Sequence, residues 1–170
     1  MGSAKRVAMA DLRTLVAELG YGDVQTLLNS GNVLFRGAPG KASAAAAAIE
    51  QAMAARLGVS ARVTVIDRDD LDAIMAANSL AGDTGDFARL MVFVLNETAS
   101  DAAALAGLHA LAGQAWTGER LLIGKRAAYL LFEKSVLDSK AAAALGKLLG
   151  DRVTARNWNT MCKLQGLCAS

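Results

Sequence analysis

The chain has 170 residues; 36 of them are alanine, 54% are hydrophobic, and 18 basic against 16 acidic residues give a formal charge of +2. The longest strongly apolar run is Leu90–Leu95, whereas a helix that spans a bilayer needs about 20 residues, so no transmembrane helix is predicted. The near-neutral charge argues against a general polyanion-binding surface. No signal peptide is visible, and one histidine with two cysteines offers little for a metal site. We therefore expect a cytoplasmic α/β protein with reduced cysteines and with no metal or cofactor.

Hydrophobic periodicity in the first half predicts an amphipathic helix, a β-hairpin around Ser30-Gly31, an alanine-rich helix, a strand and a short helix that begins with acidic residues. Gly20 and Gly58 are predicted to end the two longer helices. The predicted elements are, in chain order, a helix over 9–19, strands over 24–29 and 32–36, a helix over 42–57, a strand over 61–66 and a helix over 69–78.

Residues 79–87 are mostly polar and contain two glycines, which predicts a linker. After this linker the pattern of elements begins again. The predicted elements of the second half are a strand over 90–95, a helix capped by Ser100 that ends near 112, strands over 121–123 and 127–132, a helix over 135–149, a strand over 151–156 and a helix over 159–167.

Aligned by element, the second half has the order β-α-β-β-α-β-α and the first half has the order α-β-β-α-β-α. A β-α-β-β-α-β unit is the ferredoxin-like split βαβ plait. The sequence therefore predicts an α+β protein of two tandem ferredoxin-like plaits, the first of which lacks its first strand. The predicted domains are an N-terminally incomplete plait over 1–78, a linker over 79–87, and a second plait with a C-terminal helix over 88–170.

Two stretches carry polar side chains that could contact a ligand. The first is the predicted hairpin tip with Ser30 and Asn32, for which ordinary turn chemistry is the alternative explanation. The second is the predicted strand-to-helix junction, where the start of a helix favours anions and an arginine adds a bidentate donor. Its candidate ligand-binding residues are Arg156, Asn157, Asn159 and Lys163. The alternative is that Trp158 packs in the core and one of the asparagines caps the helix.

The chain also resembles a bacterial family, domain of unknown function 1697, along its whole length. The motifs that carry the resemblance are Val-Ala-Met-Ala-Asp-Leu-Arg at 7–13, Leu-Asn-Ser-Gly-Asn-Val-Leu-Phe at 28–35 and Thr-Ala-Arg-Asn-Trp-Asn-Thr at 154–160. The resemblance implies a plait fold in two similar halves and implies no activity.

The chain departs from the family pattern at two places. Members of the family begin with an apolar strand and a loop of the type Leu-Arg-Gly-Ile-Asn-Val-Gly-Gly, whereas this chain begins Met1-Gly2-Ser3, and Ser79 stands where a proline is usual. We expect that the natural reading frame begins upstream. The alternatives are that another segment or chain fills the position, or that this half is only marginally stable.

Three functions are compatible with these sequence features. The first is a binding module for a small anionic metabolite at the junction of the two halves, where pockets are common. The second is an enzyme that acts on a phosphorylated or carboxylated metabolite and uses Lys163 or Ser30. The third is a nucleic-acid-binding plait, against which the sequence context of Phe35, Tyr129 and Phe132 argues. No membrane partner is predicted, and the oligomeric state is left open.

Overall fold

The computed structural model describes residues 7–28, 31–96, 99 and 101–169. Its contacts divide the chain into two compact units, Met1–Asp67 and Arg68–Ser170, so the division falls earlier than the linker predicted at 79–87. That segment itself is folded into two short 3₁₀ turns, Ser79–Asp83 and Phe87–Arg89, and Leu80 within it is buried.

In its described part, the first unit contains two α-helices and one β-hairpin. Its elements are α1 (Met9–Glu18), β1 (Gly22–Leu27), β2 (Asn32–Arg36) and α2 (Ala42–Ala52), which continues into a π-helical turn (Met53–Leu57). All four were predicted from the sequence. The second helix ends as expected at Gly58, whose φ of 66° is left-handed and favours glycine.

The hairpin forms a two-stranded antiparallel sheet, in which Thr26 pairs with Val33 and Leu27 pairs with Asn32. The strand predicted over 61–66 is wrong, because residues 58–67 form no strand. In a ferredoxin-like plait this last strand pairs only with the first, and the described residues ahead of α1 contain no strand. The backbone N–H and C=O groups of a strand pair across a sheet, whereas the Val63 N–H donates a bond of 2.7 Å to Glu50 Oε1 on α2.

The core of the first unit lies between its helices and the hairpin. The buried residues in this core are Leu12, Leu15, Val16, Ile49, Ala52, Met53 and Val59. Half-buried Val33 and Phe35 of β2 pack against them, and the Phe35 ring lies 4.6 Å from the Tyr21 ring, centroid to centroid. One face of the hairpin is therefore covered by the helices.

The described residues of the second unit form four α-helices and four strands. Its elements are α3 (Arg68–Ala76), β3 (Leu90–Leu95), α4 (Ala102–Ala112), β4 (Glu119–Ile123), β5 (Ala127–Phe132), α5 (Lys140–Leu149), β6 (Val153–Asn157) and α6 (Trp158–Cys168). A helix was predicted over 135–149, but residues 136–138 form a separate 3₁₀ turn. Ser139 then caps α5 through a bond from Ala142 N–H.

The four strands form one antiparallel sheet in the order β4-β5-β3-β6. With the connectivity β-α-β-β-α-β, this order is that of the split βαβ plait. One face of the sheet packs against α4 and α5, and the core on that face includes Phe93, Leu130 and Leu145. The central strand β3 is buried along nearly its whole length.

The second face of this sheet is covered as well. Helix α6 contacts β3 and β6, and α3 contacts α6. The Tyr129 hydroxyl on β5 donates a hydrogen bond of 2.6 Å to the Ile74 carbonyl of α3, and Arg126 forms an ion pair of 2.9 Å with Asp70. These contacts explain why α3, which the sequence analysis assigned to the first half, belongs to the second unit.

Helix α4 makes two local contacts within the second unit. Helix α4 is capped by Asp101, which accepts a bond of 2.7 Å from Ala104 N–H; the predicted cap, Ser100, lies outside the described residues. Helices α4 and α5 approach each other at Gly107, where an added Cβ would lie 2.7 Å from Leu148 Cδ1.

The fold as a whole is thus an α+β fold with two antiparallel sheets, of two and four strands, and six α-helices within the described ranges. In that same part of the chain, no helix is long and apolar enough to cross a membrane.

Candidate functional site

The candidate residues at the C-terminal end lie where β6 passes directly into α6. Asn157 is the last residue of β6 and the N-cap of α6, and its Oδ1 accepts a hydrogen bond of 2.9 Å from Thr160 N–H. The Trp158 side chain is buried. The alternative explanation from the sequence is therefore correct for these two residues: one caps the helix and the other packs in the core.

Arg156 is half-buried on β6, immediately before this cap. Its Nη1 donates a hydrogen bond of 2.7 Å to the Ala155 carbonyl. Burial lowers the pKa of the guanidinium from its ordinary value, but that value is so high that the group stays charged at neutral pH. A permanent positive charge is thus held, partly shielded from water, beside the start of a helix.

Asn159 and Lys163 lie on α6 one turn apart, and both are exposed. The first turn of this helix contains no acidic residue, so no side chain of that turn neutralises the positive end of the helix dipole. The first two turns of α6 therefore present two exposed polar side chains, and the first of these turns carries no acidic residue.

Sequence reasoning missed a further basic residue, Arg89, at the same end of the sheet. It directly precedes β3, and the register pairs Met91 with Asn157. Its Nε donates a bond of 3.0 Å to the Phe132 carbonyl, and it forms no ion pair with any residue that the structure describes. Only the antiparallel pairing of β3 with β6 reveals that Arg89 and Asn157 share one end of the sheet.

The candidate residues of the hairpin belong to the first unit. The Asn32 side chain is buried, and its Nδ2 donates a bond of 3.0 Å to the Leu27 carbonyl, which ties the two strands together. This is the turn role that the sequence left open. Ser30 lies outside the described residues. A ligand site at the junction of the two halves stays a prediction.

The aromatic side chains do not support the nucleic-acid alternative. RNA-binding plaits stack bases on aromatic side chains exposed on the sheet. Here Tyr129 is 1% exposed and Phe132 is 6% exposed, and Phe35 packs against the core of the first unit. The sheet of the second unit therefore presents neither of its two candidate aromatics to a nucleic acid.

Little in the described chain resembles a metal or nucleophile site. Within the described ranges, no group of three or more histidine, cysteine or acidic residues could hold a metal ion. Cys162 and Cys168 are free, and burial raises the pKa of both thiols. A raised pKa lowers the thiolate fraction at neutral pH, so neither cysteine is activated as a nucleophile.

Comparison with known proteins agrees with this fold. The solved structure of the conserved bacterial protein SP0830 from Streptococcus pneumoniae matches with a TM-score of 0.76 and 22% identity, over 100% of this chain and 94% of that chain. At this identity the likeness shows the fold alone. No curated protein matches. The family model described as "Protein of unknown function (DUF1697)" matches residues 1–129, well over half of the chain but not the 154–160 motif. The chain therefore belongs to the DUF1697 family.

Proposed function

We propose that this protein is a binding module for a small anionic ligand, phosphate or carboxylate in chemistry, anchored at the start of α6. The observation that carries the proposal is the half-buried Arg156 directly ahead of a helix start that contains no acidic residue. A charged guanidinium recognises both anion types through paired N–H donors.

The backbone adds to this recognition. The first N–H groups of a helix have no acceptors within the helix and favour an anion. Asn157 accepts the Thr160 N–H, which holds the helix start in place, and Asn159 extends an exposed amide from the first turn. Lys163 follows one turn later and adds a flexible positive charge at the rim.

Titration with inorganic phosphate, followed by NMR of backbone amides, tests the proposal. We expect saturable shifts centred on residues 158–160 at millimolar phosphate. Arg156→Ala should weaken binding about tenfold or more, because a hydrogen bond to a charged group contributes about 1.5–3 kcal/mol. Lys163→Ala should weaken it by a smaller factor.

The matched control is Lys147→Ala, which removes an exposed lysine from α5 and should leave phosphate binding unchanged. Equal losses in Lys147→Ala and Lys163→Ala would mean that phosphate responds to net charge and would reject a site at α6. The absence of saturable shifts at residues 158–160 would reject it too.

We further propose that the first unit has the same plait topology as the second. The order α1-β1-β2-α2 repeats the order α4-β4-β5-α5, and in both units the hairpin packs one face against the two helices. By this correspondence β2 is equivalent to β5, and residues 61–66 are equivalent to β6. A crystal structure of the chain tests this correspondence: α1-β1-β2-α2 should superpose on α4-β4-β5-α5, and a different packing of the two helices on the hairpin would reject it.

A further inference from the structure

We propose that β4 is a homodimerisation edge, at which two copies of the chain pair antiparallel about a twofold axis through Leu122. In the second unit β4 stands at one end of the strand order β4-β5-β3-β6. Pairing of this kind joins the four-stranded sheets of two copies into one continuous sheet. The proposal does not depend on the ligand site at α6.

The direction of the backbone groups in β4 is the first argument. The Gly124 N–H donates a bond of 2.8 Å to the Ala127 carbonyl, and the register pairs Leu122 with Tyr129. Successive residues of an antiparallel strand direct their N–H and C=O groups alternately to its two sides, so those of Leu122 and Gly124 point toward β5. The residues whose backbone groups point away from β5 are Glu119, Leu121 and Ile123.

The second argument is the sequence of this edge. Sheet edges pair with other strands unless charged side chains, a bulge or a covering segment prevents it. The opposite edge strand, β6, carries Arg156, and in the first unit β1 carries Asp23 and an irregular register. The last three residues of β4 are instead apolar and half-buried, and its register with β5 is unbroken. They are Leu121, Leu122 and Ile123.

A second copy of β4 is the strand that fits this edge. When Leu122 lies opposite Leu122 of the second copy, Leu121 lies opposite Ile123 and, by the twofold symmetry, Ile123 lies opposite Leu121. The residues at 121 and 123 are also those whose backbone groups point outward, so the ladder between the copies and the apolar side-chain pairs form in the same register.

The charges at the two ends of β4 select this register. It places Glu119 opposite Lys125 of the second copy, and the symmetry repeats the pair. Glu119 is held at the edge because its Oε2 accepts a bond of 3.0 Å from the Ala141 N–H, and Lys125 is exposed in the turn that follows β4. A register with Leu121 opposite itself would instead bring the Glu119 carboxylate opposite Ile123.

Sedimentation of the full chain over a range of concentrations tests the proposal. We expect the mass of two chains from micromolar concentration upward. Lys125→Glu sets two carboxylates opposite each other and should raise the dissociation constant of the dimer about tenfold or more. The matched control, Lys41→Glu, makes the same change of charge at an exposed lysine of the first unit and should leave this constant unchanged.

Disulfide trapping tests the register in a chain that carries Cys162→Ser and Cys168→Ser. Residues opposite each other in an antiparallel pair lie about 4.5–5.5 Å apart, so Leu122→Cys should cross-link two copies when oxidised glutathione is added. Arg120→Cys, which lies opposite Gly124 of the second copy, should cross-link at least about tenfold more slowly.

The mass of one chain up to millimolar concentration would overturn the proposal. So would equal effects of Lys125→Glu and Lys41→Glu on the dissociation constant, because association would then follow net charge alone. Cross-linking of Arg120→Cys as fast as that of Leu122→Cys would reject the register on which the charge pairing depends.

Discussion

The two units contain the same helix–hairpin–helix order, yet among the residues that the structure describes one has a sheet of four strands and the other a sheet of two. The hairpins β1-β2 and β4-β5 both form, because a hairpin joins neighbouring segments through a tight turn. The strands at the ends of the two units differ: β6 pairs with β3, whereas residues 61–66 form no strand. Within the described residues the hairpins thus form in both units, whereas the last strand forms in the second unit, where it pairs with β3.

The two units also differ in how the N-termini of their helices are capped. In the second unit α4, α5 and α6 are capped by the side chains of Asp101, Ser139 and Asn157. In the first unit, Ala8 and Lys41 stand at the N-caps and form no side-chain cap. The helices of the first unit therefore depend more on their packing against the hairpin than those of the second.

The largest expected effect compares one leucine of β5 with one leucine of β2, the strands that we propose to be equivalent. Leu130 in β5 is fully buried, and Leu34 in β2 is half-buried. Leu130→Ala should lower the free energy of unfolding by about 2–5 kcal/mol, because it opens a cavity in a packed core. Leu34→Ala should cost less than half as much. Urea denaturation of both variants measures the contrast, and equal losses would contradict the difference in burial between the two strands.

The next largest effect concerns the hydrogen bond from Tyr129 in the sheet to the Ile74 carbonyl in α3. Tyr129→Phe leaves the Ile74 carbonyl without its donor and should cost about 1–3 kcal/mol. Burial raises the pKa of Tyr129 to about 12, whereas an unfolded tyrosine ionises near pH 10. The folded chain therefore keeps this proton at pH values where the unfolded chain loses it, and stability must fall as pH rises from about 10 to 12.

This alkaline loss should reach at most about 3 kcal/mol for Tyr129. Denaturant melts of the parent chain and of Tyr129→Phe across this pH range measure it. The difference in stability between the two chains should shrink with rising pH. A difference that stays constant up to pH 12 would mean that Tyr129 ionises equally in the folded and unfolded chains.

The smallest effects concern the caps and have opposite signs in the two units. Ser139→Ala should destabilise α5 by about 1 kcal/mol. Ala8→Ser should stabilise α1 by a similar amount, because Ala8 already has the extended backbone of a cap, with φ −65° and ψ 133°. Hydrogen exchange of the first-turn amides in α5 and α1 resolves both changes. If Ala8→Ser has no effect, the start of α1 is not limited by capping.

Sequence patterns were most informative where structure is local. Met9–Glu18, Ala42–Ala52 and the two hairpins were predicted because helical periodicity and turn residues act over a few positions. The strand over 61–66 has an equally clear alternation and was wrong, since its pairing depends on a distant segment. The start of α5 was predicted too early, because the cap at Ser139 separates the helix from the preceding turn.

The candidate site was predicted unevenly for the same reason. The junction of β6 and α6 was found, because polar residues around a tryptophan stand out in an otherwise apolar sequence. Residue type alone could not show whether Asn157 contacts a ligand or caps the helix. Both roles need a side-chain oxygen. Arg89 lies 67 positions before Arg156 in the sequence, and only the β3-β6 register relates them.

The close approach of α4 and α5 has a consequence for sequence drift in this family. An added Cβ at Gly107 would lie 2.7 Å from Leu148 Cδ1 and 3.0 Å from Cδ2, so even alanine at 107 requires the leucine to move. The sizes of these two residues are therefore coupled: a larger residue at one position is tolerated when a smaller one occupies the other. Relatives that share this helix pair should vary at 107 and 148 together, with the combined side-chain volume nearly constant.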